Sequence, residues 1–347
     1  MKLVILFVFT FILVSCKNVQ VIKTVPVSEK QDSITYKYSD AELGNFLDSI
    51  GRLDTEILKR DITSSSDSVF RNHENIGRTL STTEFEALKK EDAGHISNYD
   101  LLRRLFPKDA EYLNEDMMSG VIFYHFSKNK FGNFAVELPG GIGSYVYFFS
   151  GNKLLARHSI YHKYGLEMDS FVNENGKTVI YYKVNYLSGT DVFQDNYNFY
   201  MYADEGLIPV LNELENSNLG FEWGTRSYWL ESTIAGTTPL VIKMVYEQKV
   251  PYPEDDDAEY TVVKDSAIVT YNWDNIAKQY TPDFSDTNLN SNIILTYYLN
   301  GNELLFINTH HKKLKEVLQG NDVDARKAVL DYLNTIMQAY SKNGGKN

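Results

Sequence analysis

The spacing of apolar residues divides the chain into a helical beginning, a β-rich middle and a helical end. Near the beginning, Ser39 followed by Glu42 is a capping-box pattern, which predicts a helix that starts directly after Ser39. The apolar stripe expected on this helix consists of Leu43, Phe46, Leu47, Ile50, Leu53 and Ile57. Ser81 with Glu84 repeats the capping box and predicts a second, shorter helix.

A third helix is expected between Ser97 and Pro107. Ser97 is its candidate N-cap, and apolar residues follow at helical spacing at Leu101, Leu102, Leu105 and Phe106. Pro107 is expected to end this helix, because proline disfavours the helical conformation of the residue before it. Residues 39–118 are therefore predicted to be a helical region, interrupted by the polar run 63–68.

From Gly120 onward the apolar period changes to two, which is typical of strands. Short aromatic or β-branched runs occupy residues 121–126, 134–138 and 145–149. Turn signals lie at 151–152, 173–176, 204–206 and 300–302. An aromatic group, a turn and an aliphatic pair recur at 147–155, 200–208 and 297–305, with irregular spacing between the copies. Residues 119–310 are therefore predicted to form hairpins of a meandering antiparallel sheet, and neither a solenoid nor a propeller.

The tail returns to helical spacing. A short helix is predicted over residues 312–319, with Gly320-Asn321 as its left-handed end. A longer helix is expected to begin at Asp322 or Asp324, with apolar positions at Val329, Leu330, Leu333, Ile336, Met337 and Tyr340. The predicted class is α+β: N-terminal helices, a central antiparallel β-meander or sandwich, and C-terminal helices (residues 311–347) that pack on the β domain.

The first 16 residues have the pattern of a signal peptide. Lys2 precedes an uncharged, almost wholly apolar run over residues 3–14, which is too short to cross a bilayer, since crossing takes roughly 20 residues. The run ends in Leu13-Val14-Ser15-Cys16, and Cys16 is the only cysteine of the chain.

This ending resembles the lipobox of bacterial lipoproteins, in which the cysteine is lipidated and becomes the first residue of the mature protein. The resemblance covers residues 1–16 and implies that 1–15 are removed and that Cys16 carries the acyl chains that attach the protein to a membrane. Residues 16–38 then form a flexible tether, which spans on the order of 25 Å.

The residues after Cys16 bear on which membrane is expected. An aspartate after the cysteine retains enterobacterial lipoproteins in the inner membrane, and an acidic cluster there is typical of surface-exported lipoproteins of Bacteroidota. Lys17-Asn18 has neither feature. The resemblance therefore implies a lipid-anchored protein of the cell envelope, at the periplasmic face of the outer membrane.

The amino-acid composition of the chain excludes some classes of binding partner. The chain has 34 lysine and arginine residues against 46 acidic ones, a net charge of −12, which excludes nucleic acid as a partner and disfavours adhesion to anionic lipid. Since no cysteine other than Cys16 exists, disulfides within the domain are excluded and core burial has to stabilise the fold. The 25 tyrosines and 19 phenylalanines favour an extensive sheet.

Aromatic residues offer the main candidates for binding. Trp223, Tyr228 and Trp229 fall in one loop-like stretch, where their rings are predicted to stack on a sugar or to contact a partner protein. Packing in the core is the alternative for such rings.

The acidic run 251–259 is the strongest local anomaly of charge. Carboxylates are calcium ligands, so Asp255, Asp257 and Glu259 form a candidate Ca²⁺ site. The alternative, which the sequence favours, is a solvated hairpin tip, because residues 254–257 are consecutive acids without the D-x-D-x-D-G pattern and bending glycine of calcium loops.

The remaining motifs do not indicate an enzyme class. His158 and His162 alternate like strand residues and are expected to be hydrogen-bonded or solvated, while His310-His311 is expected at a strand-to-helix junction. The glycine-rich run 139–144 lies between two predicted strands and is expected to be a hairpin loop without a nucleotide. No cofactor is implied.

Two functions therefore stay open. The first is a non-catalytic lipoprotein that binds an envelope protein or an envelope polymer, or has a structural role. The alternative is an envelope hydrolase that cleaves glycans or peptides with carboxylates that no local pattern marks.

Overall fold

The computed structural model describes residues 37–64, 73–92, 98–109, 121–140, 143–162, 165–187, 192–204, 206–211, 225–253, 255–298 and 303–342. These residues all belong to the second of two units, 1–35 and 36–347, into which the chain divides. The helices are α1 (Asp40–Gly51), α2 (Thr55–Ser64), α3 (Thr82–Glu91), α4 (Tyr99–Leu105), α5 (Ser291–Tyr298), α6 (Glu303–Thr309), α7 (His311–Gln319) and α8 (Val323–Lys342). In the described ranges, the structure has no helix with the length and apolar character that a membrane span requires.

The strands build two sheets. Their bounds are β1 (His73–Thr79), β2 (Ile122–His125), β3 (Asn133–Gly140), β4 (Gly143–Ser150), β5 (Lys153–Tyr161), β6 (Met168–Val172), β7 (Thr178–Leu187), β8 (Val192–Ala203), β9 (Gly206–Leu211), β10 (Ser227–Thr237), β11 (Leu240–Tyr252), β12 (Asp255–Asp274) and β13 (Gln279–Asp283). The smaller sheet has the order β1-β5-β4-β3-β2. The larger sheet has the order β13-β12-β11-β10-β8-β7-β6, with β9 paired to β8.

Among the strands of the described ranges, neighbours are antiparallel except for the parallel pair of β8 and β10. Antiparallel sheets combined with separate groups of helices confirm the predicted α+β class.

Both predicted capping boxes are present. The Ser39 hydroxyl accepts a hydrogen bond from the backbone N–H of Glu42, whose carboxylate accepts one from the backbone N–H of Ser39, and Ser81 and Glu84 repeat this arrangement. Each box satisfies N–H groups that the first helical turn leaves without partners.

The apolar stripe of α1 ends earlier than predicted. Leu43, Phe46, Leu47 and Ile50 are buried, but Leu53 and Ile57 are 43% and 48% exposed. The chain turns at residues 52–54, so the residues after this turn no longer continue the apolar stripe of α1. Helix α2 continues to Ser64 and takes in the first residues of the predicted polar break; the rest of that break lies outside the described residues.

The region expected to be helical also contains a strand. β1 pairs with β5 at the edge of the smaller sheet, and its residues alternate between exposed and half-buried. The sequence around Ile76 has only one large aliphatic residue, so the alternation was too weak to detect. Helix α4 is capped by Asn98, one residue after the predicted Ser97, and it ends at Leu105 as Pro107 predicts.

The first two predicted aromatic hairpins are confirmed and the third is wrong. Gly151 lies in the β4–β5 turn and Gly206 in the β8–β9 turn, both with positive φ. Tyr297 and Tyr298 instead end α5 and residues 303–305 begin α6, so helix occurs within the range predicted as β-rich. The predicted turn at 300–302 lies outside the described residues. Tyr297 is fully buried against the large sheet and Leu305 among the C-terminal helices, and this packing on two different cores outweighs local β propensity.

The C-terminal helices are confirmed, with one difference in detail. Asp322 begins α8 by accepting a hydrogen bond from the backbone N–H of Ala325 at 3.0 Å. Gly320 ends α7, but with a φ of −76° it is extended and not left-handed as predicted. The buried face of α8 includes Val329, Leu330, Leu333 and Ile336.

Three apolar cores hold these elements together. The first contains side chains of both sheets, among them Phe148 of the smaller sheet and Tyr200 of the larger one. The second lies between α1, α6, α7, α8 and one end of the β11–β12 pair. The third joins α3 and α4 to the other face of the smaller sheet. The smaller sheet is thus covered on both faces, while the outer face of β10, β11 and β12 carries exposed side chains.

Candidate functional site

Strand β10 carries two of the three predicted binding aromatics and directs them to opposite faces. Tyr228 and Trp229 are neighbours on a strand, so their side chains alternate. Tyr228 is half-buried, with its ring 6.2 Å from that of Tyr297, whereas Trp229 is 41% exposed. Trp223 lies outside the described residues. The two rings therefore do not form one site, and Trp229 is the one that faces outward.

Phe193 of β8 holds the Trp229 side chain in place. The two residues are register partners in the parallel β8–β10 pair, and their rings stack with centroids 4.1 Å apart and an interplanar angle of 23°. A ring that is already stacked loses little conformational freedom when a ligand lies on it. Trp229 is thus an exposed aromatic platform that is fixed before anything binds.

Charged side chains border Trp229 on the next two strands. Glu247 of β11 is the register partner of Trp229, and Lys264 of β12 is the partner of Glu247. The Glu247 carboxylate lies 3.5 Å from the Lys264 ammonium and 3.9 Å from that of Lys249. Lys249 also lies 3.6 Å from Glu259. Acidic and basic side chains therefore alternate here, and this part of the surface has little net charge.

Further along the same face, exposed aliphatic side chains lie between polar ones. Val245 is 38% exposed and pairs with Glu231, while Ile268 is 65% exposed and pairs with Lys243. We name this surface the Trp229 face. It consists of Phe193, Trp229, Glu231, Lys243, Val245, Glu247, Lys264 and Ile268.

A buried arginine fixes the start of β10 from the other side. Arg226 donates hydrogen bonds to Glu303 Oε2 at 3.1 Å, to Gln248 Oε1 at 2.5 Å and to the Thr296 carbonyl at 3.1 Å. Its guanidinium also lies 4.6 Å from the centroid of the Phe306 ring. The guanidinium thus joins β10 and β11 to α5 and α6 directly behind the strand that presents Trp229.

Several buried polar atoms around this network have no hydrogen-bond partner among the described residues. They include Thr225 Oγ1 and His310 Nε2. Burial, with a smaller effect of the Arg226 charge, lowers the pKa of His310 to about 3. His310 is therefore neutral in the folded protein at ordinary pH.

A second buried polar cluster joins β3, β4 and β5, and the sequence analysis did not identify it. Ser144 donates a hydrogen bond to Glu137, and the ring Nε2 of His162 lies 2.7 Å from the same hydroxyl. Tyr124 donates to the second oxygen of Glu137 at 2.6 Å. Burial lowers the pKa of His162, the Glu137 charge opposing this.

The Ser144 hydroxyl is enclosed by its two hydrogen-bond partners. Because Ser144 donates its proton to Glu137, His162 Nε2 is the donor to the Ser144 oxygen. Ser144 is also only 2% exposed. The cluster therefore links these strands, while a nucleophile needs room for a substrate beside its hydroxyl.

The other histidine candidate, His158, is packed among aromatic rings. It lies on β5 with its ring centroid 4.5 Å from Phe148 and 4.4 Å from Tyr200, and its Nδ1 is 3.2 Å from the Tyr182 hydroxyl. His158 and His162 therefore have separate hydrogen-bond partners, as expected for residues of a strand. Across the described ranges, no group of three metal-ligating side chains occurs.

The two remaining loop candidates are hairpins. Residues 139–144 close β3 onto β4, with Gly140 paired to Gly143. The acidic run connects β11 to β12, with Tyr252 paired to Asp255. The side chains of Asp255 and Asp257 lie outside the described residues, so the calcium site stays a prediction.

The His310-His311 pair connects α6 to α7, so the predicted strand-to-helix junction is instead a junction between two helices. His311 Nε2 lies 2.9 Å from an Asp48 carboxylate oxygen, to which Lys315 also donates.

Comparison of the chain with models of protein families, with characterised proteins and with solved structures found no match. The function must therefore be argued from the residues themselves.

Proposed function

We propose that the protein is a lipid-anchored component of the cell envelope with a non-catalytic binding role, at the periplasmic face of the outer membrane. The two sheets act as a sandwich-like scaffold in this proposal, and the Trp229 face is the binding surface. The observation that carries it is the exposed indole of Trp229, stacked on Phe193 and bordered by polar groups. Exposed aromatic side chains with polar surroundings are typical of binding surfaces.

The anchor rests on the lipobox-like residues 13–16, which lie outside the described residues. We expect Cys16→Ala to leave the protein as an uncleaved precursor or to release it from the membrane fraction, because the acyl chains provide the attachment. Ser15→Ala is the matched control, since alanine is also accepted before a lipobox cysteine. Normal processing and unchanged membrane association of Cys16→Ala would refute the anchor.

The binding role is tested by crosslinking from the surface itself. A photoreactive phenylalanine in place of Trp229, in cells that make the full chain, is expected to form a defined adduct with an envelope component. The same replacement at Val172, which is 59% exposed on β6, is the control position and should give no such adduct. Absence of a specific adduct at position 229 would count against the binding role.

For the alternative, an envelope hydrolase, the candidate catalytic group among the described residues is the cluster of Glu137, Ser144 and His162. Its serine is buried, with only 2% of its surface exposed. The exposed aromatic platform supports binding better than this cluster supports hydrolysis, so binding is the function we put forward.

A further inference from the structure

From the chemistry of the Trp229 face, we infer that its ligand is a segment of an uncharged glycan. This inference rests on the proposed binding role and specifies the class of ligand. Three features of the surface carry it: the fixed indole, the balance of charge beside it, and the alternation of apolar and polar side chains across the strands.

The indole supplies the flat apolar surface that one side of a sugar ring requires. The C–H groups on that side of a pyranose are apolar, whereas its hydroxyls project around the rim. Trp229 is stacked on Phe193 at 4.1 Å and is 41% exposed, so it presents a rigid aromatic surface to such a ring.

The polar side chains next to the indole suit hydroxyl groups. Glu247 and Glu231 accept hydrogen bonds, while Lys264 and Lys243 donate them. These groups repeat across the sheet at the strand spacing of about 4.8 Å, which is close to the width of one sugar ring. A linear glycan that crosses the strands would therefore meet a hydrogen-bonding group beside each ring.

The charge pattern favours an uncharged polymer over a charged one. Glu247 lies within 4 Å of both Lys264 and Lys249, so the ion pairs beside Trp229 largely cancel each other. A polyanion or polycation needs a surface of one sign. Protein partners are less suited, because the direct register partners of the exposed aliphatic residues Val245 and Ile268 are polar, whereas the centre of a protein interface is mainly apolar.

The test uses the full lipidated chain in a zwitterionic detergent that contains no sugar. Short uncharged oligosaccharides of chitin, cellulose and starch are titrated by calorimetry. We expect at least one to bind, and we expect Trp229→Ala to weaken it by about tenfold or more, since stacking is lost. Trp229→Phe should keep binding within about threefold, and Val172→Ser, a control outside the face, should leave it unchanged.

Salt distinguishes an uncharged ligand from a charged one. Affinity for the oligosaccharide should change less than about twofold between about 50 and about 500 mM sodium chloride. A loss of more than about tenfold over this range would overturn the inference, because screening acts on charges. Equal binding by Trp229→Ala and the unchanged protein would also overturn it.

Failure of this inference is separable from failure of the proposed function. If no oligosaccharide binds but position 229 crosslinks to one envelope protein, the glycan is wrong and the binding role stands. If no oligosaccharide binds and no adduct forms at position 229, both are wrong.

Discussion

Replacing the buried His310 should make the protein more resistant to acid. His310 is 7% exposed, its Nε2 has no hydrogen-bond partner among the described residues, and the Arg226 guanidinium opposes its protonation. The variant His310→Phe keeps an aromatic ring against Phe306, whose centroid is 4.9 Å from that of His310, and removes the titration. The folded protein then no longer has to exclude a proton at this position.

The size of the effect follows from the two pKa values. His310 has an ordinary pKa of 6.5, and in the fold it is lowered to about 3. Between these values the unfolded chain binds more protons than the folded one, so the stability of the wild type falls as pH is lowered. One pKa unit corresponds to about 1.4 kcal/mol, so at about pH 4.5 the loss from His310 is about 2 to 3 kcal/mol.

Urea unfolding at neutral pH and at about pH 4.5 measures this difference, with the free energy taken from the midpoint and slope. We expect His310→Phe to gain about 2 to 3 kcal/mol relative to the wild type on going to the lower pH. A constant offset between the two proteins, from packing of the larger ring, does not affect this comparison.

The neighbouring His311 provides the matched control. It is half-buried and lies beside Asp48, so His311→Gln changes the same helix junction without removing a buried neutral imidazole. This variant should keep the acid sensitivity that His310→Phe loses. Parallel pH profiles for His310→Phe and the wild type would refute the assignment of a neutral, proton-excluding His310.

Two further substitutions test the stability of the fold. Arg226→Met should lower the free energy of unfolding by about 3 to 5 kcal/mol in urea, because it leaves buried hydrogen-bond acceptors unpaired. Arg326→Met, which removes a half-exposed ion pair, should lower the free energy of unfolding by less than about 1 kcal/mol. Equal losses for Arg226→Met and Arg326→Met would contradict the importance of burial. Ser81→Ala should cost about 1 kcal/mol by removing the cap of α3, whereas Thr83→Ala, on the exposed side of the same helix, should change stability by only a few tenths. Equal unfolding free energies for these last two variants would show that the capping box contributes nothing measurable.

The helix starts were predictable because their causes are local. Ser39 and Glu42, and likewise Ser81 and Glu84, satisfy each other's backbone groups within one turn, so a stretch of four residues determines where the helix starts. Hairpin turns at Gly151 and Gly206 were predictable for the same reason, since glycine adopts positive φ without steric cost.

The helices α5 and α6 were not predictable from their local pattern. Residues 297–305 have the aromatic and aliphatic composition of a strand pair, yet Tyr297 packs against the large sheet and Leu305 against α8 and its neighbours. Such packing on separate cores is a property of the whole chain, and short apolar runs fit a helix or a strand equally well.

The buried polar cluster escaped detection because register brings it together. Glu137 lies on β3, Ser144 on β4 and His162 directly after β5, and only the pairing of β3 with β4 and of β4 with β5 aligns them. One local signal was available: Glu137 lies in a strand that is otherwise apolar over residues 134–138, where a charge indicates a specific buried partner.

Trp229 was identified from the sequence, but its surroundings were not. Placing residues 227–229 in a loop removed the information that neighbouring strand residues point to opposite faces. Assigning them to a strand would have separated Trp229 from Tyr228, although the stack with Phe193 depends on a parallel pairing that local patterns do not reveal.

The buried arginine network and the exposed aromatic face are two sides of one pair of strands. On β11, Gln248 points inward to Arg226, while Glu247 and Lys249 on either side of it point outward to their ion pairs. Arg226, directly before β10, donates to Gln248 of β11, so this contact links the two strands whose register places Glu247 opposite Trp229. A buried ionic network contributes little to stability compared with apolar packing of the same volume, but its geometry is specific. We therefore expect Arg226 to stabilise the register that places Glu247 beside Trp229, and Arg226→Met to weaken ligand binding even in conditions where the variant stays folded.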